Sequence, residues 1–188
     1  MKHVETSRAE REVTLYIGGV HASHEPIVIK TLLGSCIAVC LHDPVAHVGG
    51  MNHFMLPYGP DGRDEDASRF GVHAMDRLIA AAMKVGGDRR RFVAKVFGGA
   101  HVLRVRRSHS TVPEQNIEFV RKFLEAEGFP VLNTDVGGDE PRHVHFHTAT
   151  GRAFIKRVVS AKANARLVQR EDLWTRTPAT YGDVVLFE

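Results

Sequence analysis

A thiol and an imidazole at short spacing, Cys36 and His53, are the side chains of this sequence best suited to covalent chemistry. The chain between them runs Gly34-Ser35-Cys36-Ile37-Ala38-Val39-Cys40-Leu41-His42, turns at Asp43-Pro44-Val45-Ala46, and returns as His47-Val48-Gly49-Gly50-Met51-Asn52-His53-Phe54. Two apolar runs around a turn read as a β-hairpin. A four-residue turn pairs His42 with His47, and counting outward sets Cys36 opposite His53. Directly opposed residues hold their Cβ atoms about 5 Å apart, which suits a thiol-to-imidazole hydrogen bond. Gly49-Gly50 is where a bulge would shift that count.

The chemistry such a pair supports is acyl transfer. A thiol's ordinary pKa of about 8.5 falls beside an imidazole, and the thiolate is the nucleophile. It attacks a carbonyl carbon to form an acyl-thioenzyme; the same histidine protonates the leaving group and then activates water. Thr31, on the incoming strand, is a candidate to orient the ring through its hydroxyl. Backbone N–H groups near Ser35-Cys36 are candidates to receive the oxyanion. Cys40, in the middle of an apolar run, reads as a small buried hydrophobe.

The elements that must position these groups are short strands and two helices. Val13 to Ile17 and Ile27 to Leu32 precede the hairpin as β-type runs, and a polar loop from Tyr58 to Asp66 follows it as a candidate rim of the site. Val72, Met75, Leu78, Ile79, Ala82 and Met83 recur at helical spacing, so a helix is expected from near Ser68 to about Val85, with that stripe as core. Phe92 to Phe97 reads as a strand running into Gly98-Gly99-Ala100, where glycines permit tight backbone approach. A second helix opens at Thr111-Val112-Pro113-Glu114 with capping-box spacing, carries Ile117, Val120, Phe123 and Leu124 on one face, and ends at Gly128. Strands are expected at Pro130 to Asp135, Arg142 to Thr148 and Ala153 to Val159, the last two joined by a turn at Thr150-Gly151. Many strands with only two helices indicate an α+β fold, layered sheet on sheet or helix, in preference to a doubly wound one. Beyond Ser160 the chain is polar and arginine-containing, relieved by Trp174 and Val184-Val185-Leu186-Phe187.

A chain of 188 residues, 43% hydrophobic and 25% charged, fits one globular domain with a real core. Its apolar runs fall short of the roughly 18 residues of a membrane span, and its first residues lack the apolar core of a signal peptide. Two cysteines this close along one strand do not form an ordinary disulfide, so a reducing, cytoplasmic setting is expected. A net charge of +3 is only mildly basic, and without interleaved aromatics it argues against nucleic acid as partner. Arg89-Arg90-Arg91 and Arg104, Arg106 and Arg107 read as solvated faces or as attraction to an acidic protein surface.

Histidine abundance offers a competing chemistry. His143, His145 and His147 alternate along one strand and share a face, where zinc is conceivable with Cys36 or Asp43 completing the shell. No Cys or His pair at finger spacing accompanies them, so a solvated sheet face is the favoured reading, with no metal.

The string Thr31-Leu32-Leu33-Gly34-Ser35-Cys36-Ile37-Ala38-Val39-Cys40-Leu41-His42-Asp43-Pro44, followed by Gly49-Gly50-Met51-Asn52-His53-Phe54-Met55-Leu56-Pro57, resembles the signature of the CheD family of chemoreceptor glutamine deamidases. Lys95-Val96-Phe97-Gly98-Gly99-Ala100, Asn116-Ile117 and Asp135-Val136-Gly137-Gly138 ahead of Arg142 join it, so the resemblance spans about residues 12 to 159. It implies a protein-glutamine glutaminase that converts glutamines of methyl-accepting chemotaxis receptors to glutamates and releases ammonia, with no metal or organic cofactor. Carried over by position, Cys36 is the nucleophile, His53 the general base and Thr31 the third catalytic residue. The implied fold is a layered α/β/β-type sandwich of mixed sheets with two main helices outside, over residues 12–159. Residues 1–11 are then an N-terminal extension and 160–188 a C-terminal tail. Some family members also bind the phosphatase CheC. Three alternatives stay open beside the hydrolase: a non-catalytic adaptor for receptors or CheC, a zinc protein, and a transamidase that shares the acyl-thioenzyme.

Overall fold

The computed structural model describes residues 11–56, 64–102 and 112–158, together with position 169. Among the described residues nine strands and two α-helices follow one another as β1 (Arg11–Thr14), β2 (Val20–Ser23), β3 (Ile27–Leu33), β4 (Ile37–Asp43), β5 (Val48–Asn52), α1 (Asp64–Lys84), β6 (Val93–Gly98), α2 (Val112–Glu127), β7 (Val131–Val136), β8 (Arg142–His147) and β9 (Ala153–Arg157). They form two mixed sheets, ordered β1-β3-β8-β9 and β2-β5-β4-β6-β7. β1 runs parallel to β3 and β6 parallel to β7, while the other neighbours are antiparallel.

Alternation along β4 explains the layering. Ile37, Val39 and Leu41 pack with Met75, Leu78 and Ile79 of α1 and Val120 and Leu124 of α2. Cys36, Ala38 and Cys40 point the other way, into a core shared with Ile27, Ile29 and Leu33 of β3 and Val144 and Phe146 of β8. With successive side chains facing opposite sides, only a strand apolar on both faces can sit between two layers. The order is therefore helices, five-stranded sheet, four-stranded sheet: the α+β class and the α/β/β layering expected from the sequence.

The hairpin register differs from the expected one. The structure pairs Asp43 with Val48, His42 with Gly49 and Cys40 with Met51. The turn therefore comprises Pro44 to His47, one residue later than read from the sequence, with His47 at φ 53°. The cause is the Asp43 side chain. Its Oδ1 accepts from the amides of Val45 and Ala46, its Oδ2 accepts from the Asp88 amide, and Arg91 clamps both oxygens. That network draws Asp43 into the ladder and delays the turn. The Arg91 guanidinium holds the buried Asp43 carboxyl well below the usual carboxylate range.

Gly49-Gly50 hosts no bulge, because the ladder runs through it unbroken. A Cβ at Gly49 would lie 2.5 Å from the Thr148 backbone, so that glycine lets the two sheets approach. The arginine run also has internal partners: Arg89 bonds Glu127, Arg90 bonds Asp88 and Arg91 bonds Asp43. These pairs occupy the cluster that the sequence offered to an acidic partner. The second cluster, Arg104 to Arg107, the loop at 57–63, the Thr111 cap, the first ten residues and the tail with Trp174 lie outside the described residues.

β2 is a strand the sequence did not suggest, and β1 stops at Thr14 where a longer run was expected. Leu15 to Gly19 leaves β1 instead to wrap the end of β5, with the Gly19 amide donating to the Tyr16 carbonyl over 2.8 Å.

Candidate active site

Cys36 occupies the bend Gly34-Ser35-Cys36 that carries the chain from one sheet to the other. Every carbonyl of that bend is bonded: Gly34 O accepts from the Ala100 amide at 2.7 Å and Cys36 O from the Gly99 amide at 2.8 Å. Ser35 O accepts from Asn116 Nδ2 at 2.9 Å. The Gly98-Gly99-Ala100 stretch noted in the sequence therefore holds the cysteine's backbone. Gly98, at φ 116°, must remain glycine, because a Cβ there would lie 2.1 Å from the Cys36 carbonyl oxygen.

His53 is held as firmly. Its amide donates to Gly19 O at 3.0 Å, and its carbonyl accepts from the Gly18 amide at 2.7 Å. Next to it, Asn52 accepts from the Val39 amide at 2.9 Å and donates to the Ala74 carbonyl of α1 at 3.1 Å. The backbone around the imidazole is thus fixed from β2, β4 and α1 together.

The corrected register changes how the pair meets. Ile37 and Phe54 form a bridge, and extending the register past it sets Cys36 opposite Met55 and His53 opposite Ala38. The expected direct opposition of Cys36 and His53 is replaced by a diagonal one. A shift of two residues preserves the face, so both side chains still point into the core between the sheets. Diagonal neighbours stand about 7 to 8 Å apart at the backbone and less at Cβ, a span a long imidazole crosses.

Thr31 completes the group from the opposite sheet. Its Oγ1 lies 2.8 Å from His53 Nδ1 and 3.0 Å from the Leu15 carbonyl oxygen. A carbonyl can only accept, so the single hydroxyl proton goes to Leu15 and the Thr31 oxygen accepts from Nδ1–H. That assigns the tautomer: Nδ1 carries the proton and Nε2 is the basic nitrogen. The sequence offered Thr31 as orienting partner; the Leu15 carbonyl that makes it an acceptor was not visible there.

Exposure bears on access to the group. Cys36 is 1% exposed, His53 2% and Thr31 2%, so the described residues do not leave these side chains in an open groove. A cavity of about 50 Å³ lined by Gly18, Gly19, His53, Phe70 and His73 reaches the ring. That volume suits one or two waters and is too small for a substrate side chain. Cys40 is equally buried, and its burial pushes the thiol pKa upward.

The competing metal chemistry finds little support. His143, His145 and His147 do share the outer face of β8, opposite Leu32, Lys30 and Val28. Burial, then the Lys30 charge, lowers the His145 pKa, and His147 packs edge-on against Phe154. Asp43 is committed to Arg91. Among the described residues no three His, Cys, Asp or Glu side chains converge as a metal shell would require.

Comparison with known proteins adds an independent line. Residues 55–157 match the family model described as CheD chemotactic sensory transduction. That match begins beyond His53, so the three candidate residues stand on geometry. The chain is 42% identical over 178 residues to a protein of Hahella chejuensis named probable chemoreceptor glutamine deamidase CheD, covering 90% of this chain and 82% of the relative. A protein of the same name from Agrobacterium fabrum is 45% identical over 146 residues, covering 77% of this chain and 79% of the relative. One from Anaeromyxobacter dehalogenans, named probable chemoreceptor glutamine deamidase CheD 1, is 42% identical over 147 residues, 78% of this chain and 85% of the relative.

Proposed function

The chain belongs to the CheD family, and from that premise we propose that it deamidates glutamine side chains of chemoreceptors, with Cys36 as nucleophile, His53 as general base and Thr31 as the residue that orients the ring. The observation that carries the site assignment is the Thr31–His53 hydrogen bond, which joins the two sheets beside the cysteine bend.

In the reaction, Nε2 of His53 takes the thiol proton and the Cys36 sulfur attacks the carboxamide carbon. The carbonyl oxygen becomes an oxyanion, received by backbone N–H groups near Ser35-Cys36. When the tetrahedral intermediate collapses, the C–N bond breaks and ammonia leaves with the proton held by His53. The thioester remains. Nε2 then removes a proton from water, hydroxide adds to the thioester carbon, and the C–S bond breaks to give glutamate and the regenerated thiol. None of these steps calls for a metal or an organic cofactor.

The substrate region is the cytoplasmic helical part of methyl-accepting receptors, and a CheC-type phosphatase is a further partner. Residues 12–159 form the catalytic unit, flanked by the extension 1–11 and the tail 160–188, and the protein acts in the cytoplasm. Among the described residues no helix is long and apolar enough to cross a membrane.

The test is mass spectrometry of a receptor cytoplasmic fragment incubated with the protein. Peptides that gain the mass of an amide-to-acid exchange, with matching ammonia release, are the expected result. An unmodified fragment would refute the deamidase reading, and incorporation of an added amine in place of water would establish the transamidase instead. Cys40→Ala should keep this activity within about twofold and lower stability by about 1 kcal/mol, the cost of a small buried side chain. Thermal melting alongside the ammonia assay checks both; lost activity in a folded Cys40→Ala would put the wrong thiol at the centre.

A further inference from the structure

Asn116 lies on the apolar face of α2, fully buried, in line with Val120 and Leu124. A polar side chain in a core stripe must be satisfied there or it destabilises the fold. Its Oδ1 accepts from the Leu56 amide at 2.8 Å, and its Nδ2 donates to the Ser35 carbonyl at 2.9 Å.

Those two partners are not arbitrary. Ile37 and Phe54 exchange both backbone bonds, each at 2.9 Å. In a regular antiparallel ladder the next such pair, two residues on, is Ser35 with Leu56. The Leu56 amide would then donate directly to the Ser35 carbonyl. Instead the Asn116 carboxamide stands between them, one amide group accepting from Leu56 and donating to Ser35. It acts as a short piece of peptide inserted into the ladder at the step beyond Cys36.

We propose that Asn116 is a positioning residue for the reaction: by holding the Ser35 carbonyl it fixes the Ser35–Cys36 peptide plane and aims the Cys36 N–H at the oxyanion. The argument rests on the deamidase reading and on planarity. In a trans peptide the carbonyl and the following N–H point in opposite directions, so anchoring one directs the other. The Gly34 and Cys36 carbonyls on either side are tied by Ala100 and Gly99, and the Ser35 carbonyl between them is tied by Asn116. An oxyanion donor contributes only when its direction is set before the charge develops.

This assignment separates two reactions of the same thiol. Deamidation passes through an oxyanion; alkylation of Cys36 by iodoacetamide does not. Asn116→Ala should lower kcat for deamidation of a receptor cytoplasmic fragment about 100-fold, the order seen when an oxyanion donor is lost. KM and the rate of Cys36 alkylation should stay within about threefold. Should Asn116→Ala fail to fold, Asn116→Ser, which keeps a polar group too short to span both partners, carries the same expectation. Val120→Ala, a buried truncation one turn along the same helix that takes no part in these bonds, controls for lost stability and should keep kcat within about threefold. The proposal is overturned if the Asn116 variants keep kcat, or if kcat and alkylation fall in equal proportion, or if Val120→Ala loses kcat to the same degree. An inactive parent protein would instead remove the deamidase reading on which it rests.

Discussion

Cys36→Ala is expected to abolish ammonia release from a receptor fragment, by at least about four orders of magnitude, while the protein remains folded. Removing a nucleophile that forms a covalent intermediate eliminates the path itself, and the oxyanion donors that remain recover only a small residual rate. The fold should tolerate the change because the bend is held through its backbone. The Gly34, Ser35 and Cys36 carbonyls keep their partners on Ala100, Asn116 and Gly99 whatever the side chain. The lost packing of a small buried sulfur amounts to about 1 kcal/mol. Circular dichroism and a melting curve check the fold, and a coupled ammonia assay checks the chemistry. The variant also separates enzyme from adaptor. Receptor affinity that survives together with a lost reaction fits a catalyst with its nucleophile removed, whereas retained deamidation in Cys36→Ala would end the assignment of this thiol.

The buried state of that thiol bears on how the enzyme meets a protein substrate. With Cys36, His53 and Thr31 all nearly inaccessible, bulk water is largely kept from the pair, and every electrostatic interaction inside is strengthened by the low dielectric. The energy for moving neighbours aside must come from receptor contacts made elsewhere on the surface. Remote binding energy of this kind appears in kcat as much as in KM, so short glutamine peptides should be poor substrates even where the chemistry is intact.

What the sequence made legible followed local rules. Strand alternation put Cys36, His53 and Thr31 on faces that do meet, and helical spacing identified Met75, Leu78, Ile79, Val120 and Leu124 as core, where they are. The exact ladder register did not follow, since it depends on the Asp43 carboxylate bonding Arg91 and Asp88 about forty-five residues away. No local pattern reports such a pairing. The shift was an even number of residues, so Cys36 and His53 kept a common face; an odd one would have turned His53 toward the helices. β2 was missed because Val20-His21-Ala22-Ser23 is too short to show a period. With it went the Leu15 to Gly19 wrap that supplies the Thr31 acceptor and holds the His53 backbone. Asn116 did leave a signal, a carboxamide at a core position of an amphipathic helix, where a polar group needs a specific partner. The sequence alone does not name that partner.

His53→Ala should reduce deamidation by about three to four orders of magnitude, nearly as much as loss of the thiol, because one ring serves three proton transfers: from sulfur, to ammonia and from water. His53→Gln, which retains a donor toward Thr31 but no base, should fall to the same level and guards against a packing explanation. Thr31→Val then measures how much of the ring's efficiency is orientation. Valine keeps the shape and removes the oxygen that accepts from Nδ1–H at 2.8 Å. The ring loses the bond that selects its tautomer, and a population with the proton on Nε2 cannot act as base toward Cys36. Loss of an orienting group costs less than loss of the base, so a fall in kcat of about 100-fold is expected with KM little changed. Thr31→Ser, which restores the hydroxyl, should recover most of it. The ordering is what the geometry commits to: Cys36 and His53 together at the bottom, Thr31→Val between them and the parent, Thr31→Ser near the parent. If Thr31→Val matched the parent in kcat, the bond joining the two sheets would be structural only. If His53→Gln kept substantial activity, some other group would have to be taking the thiol proton.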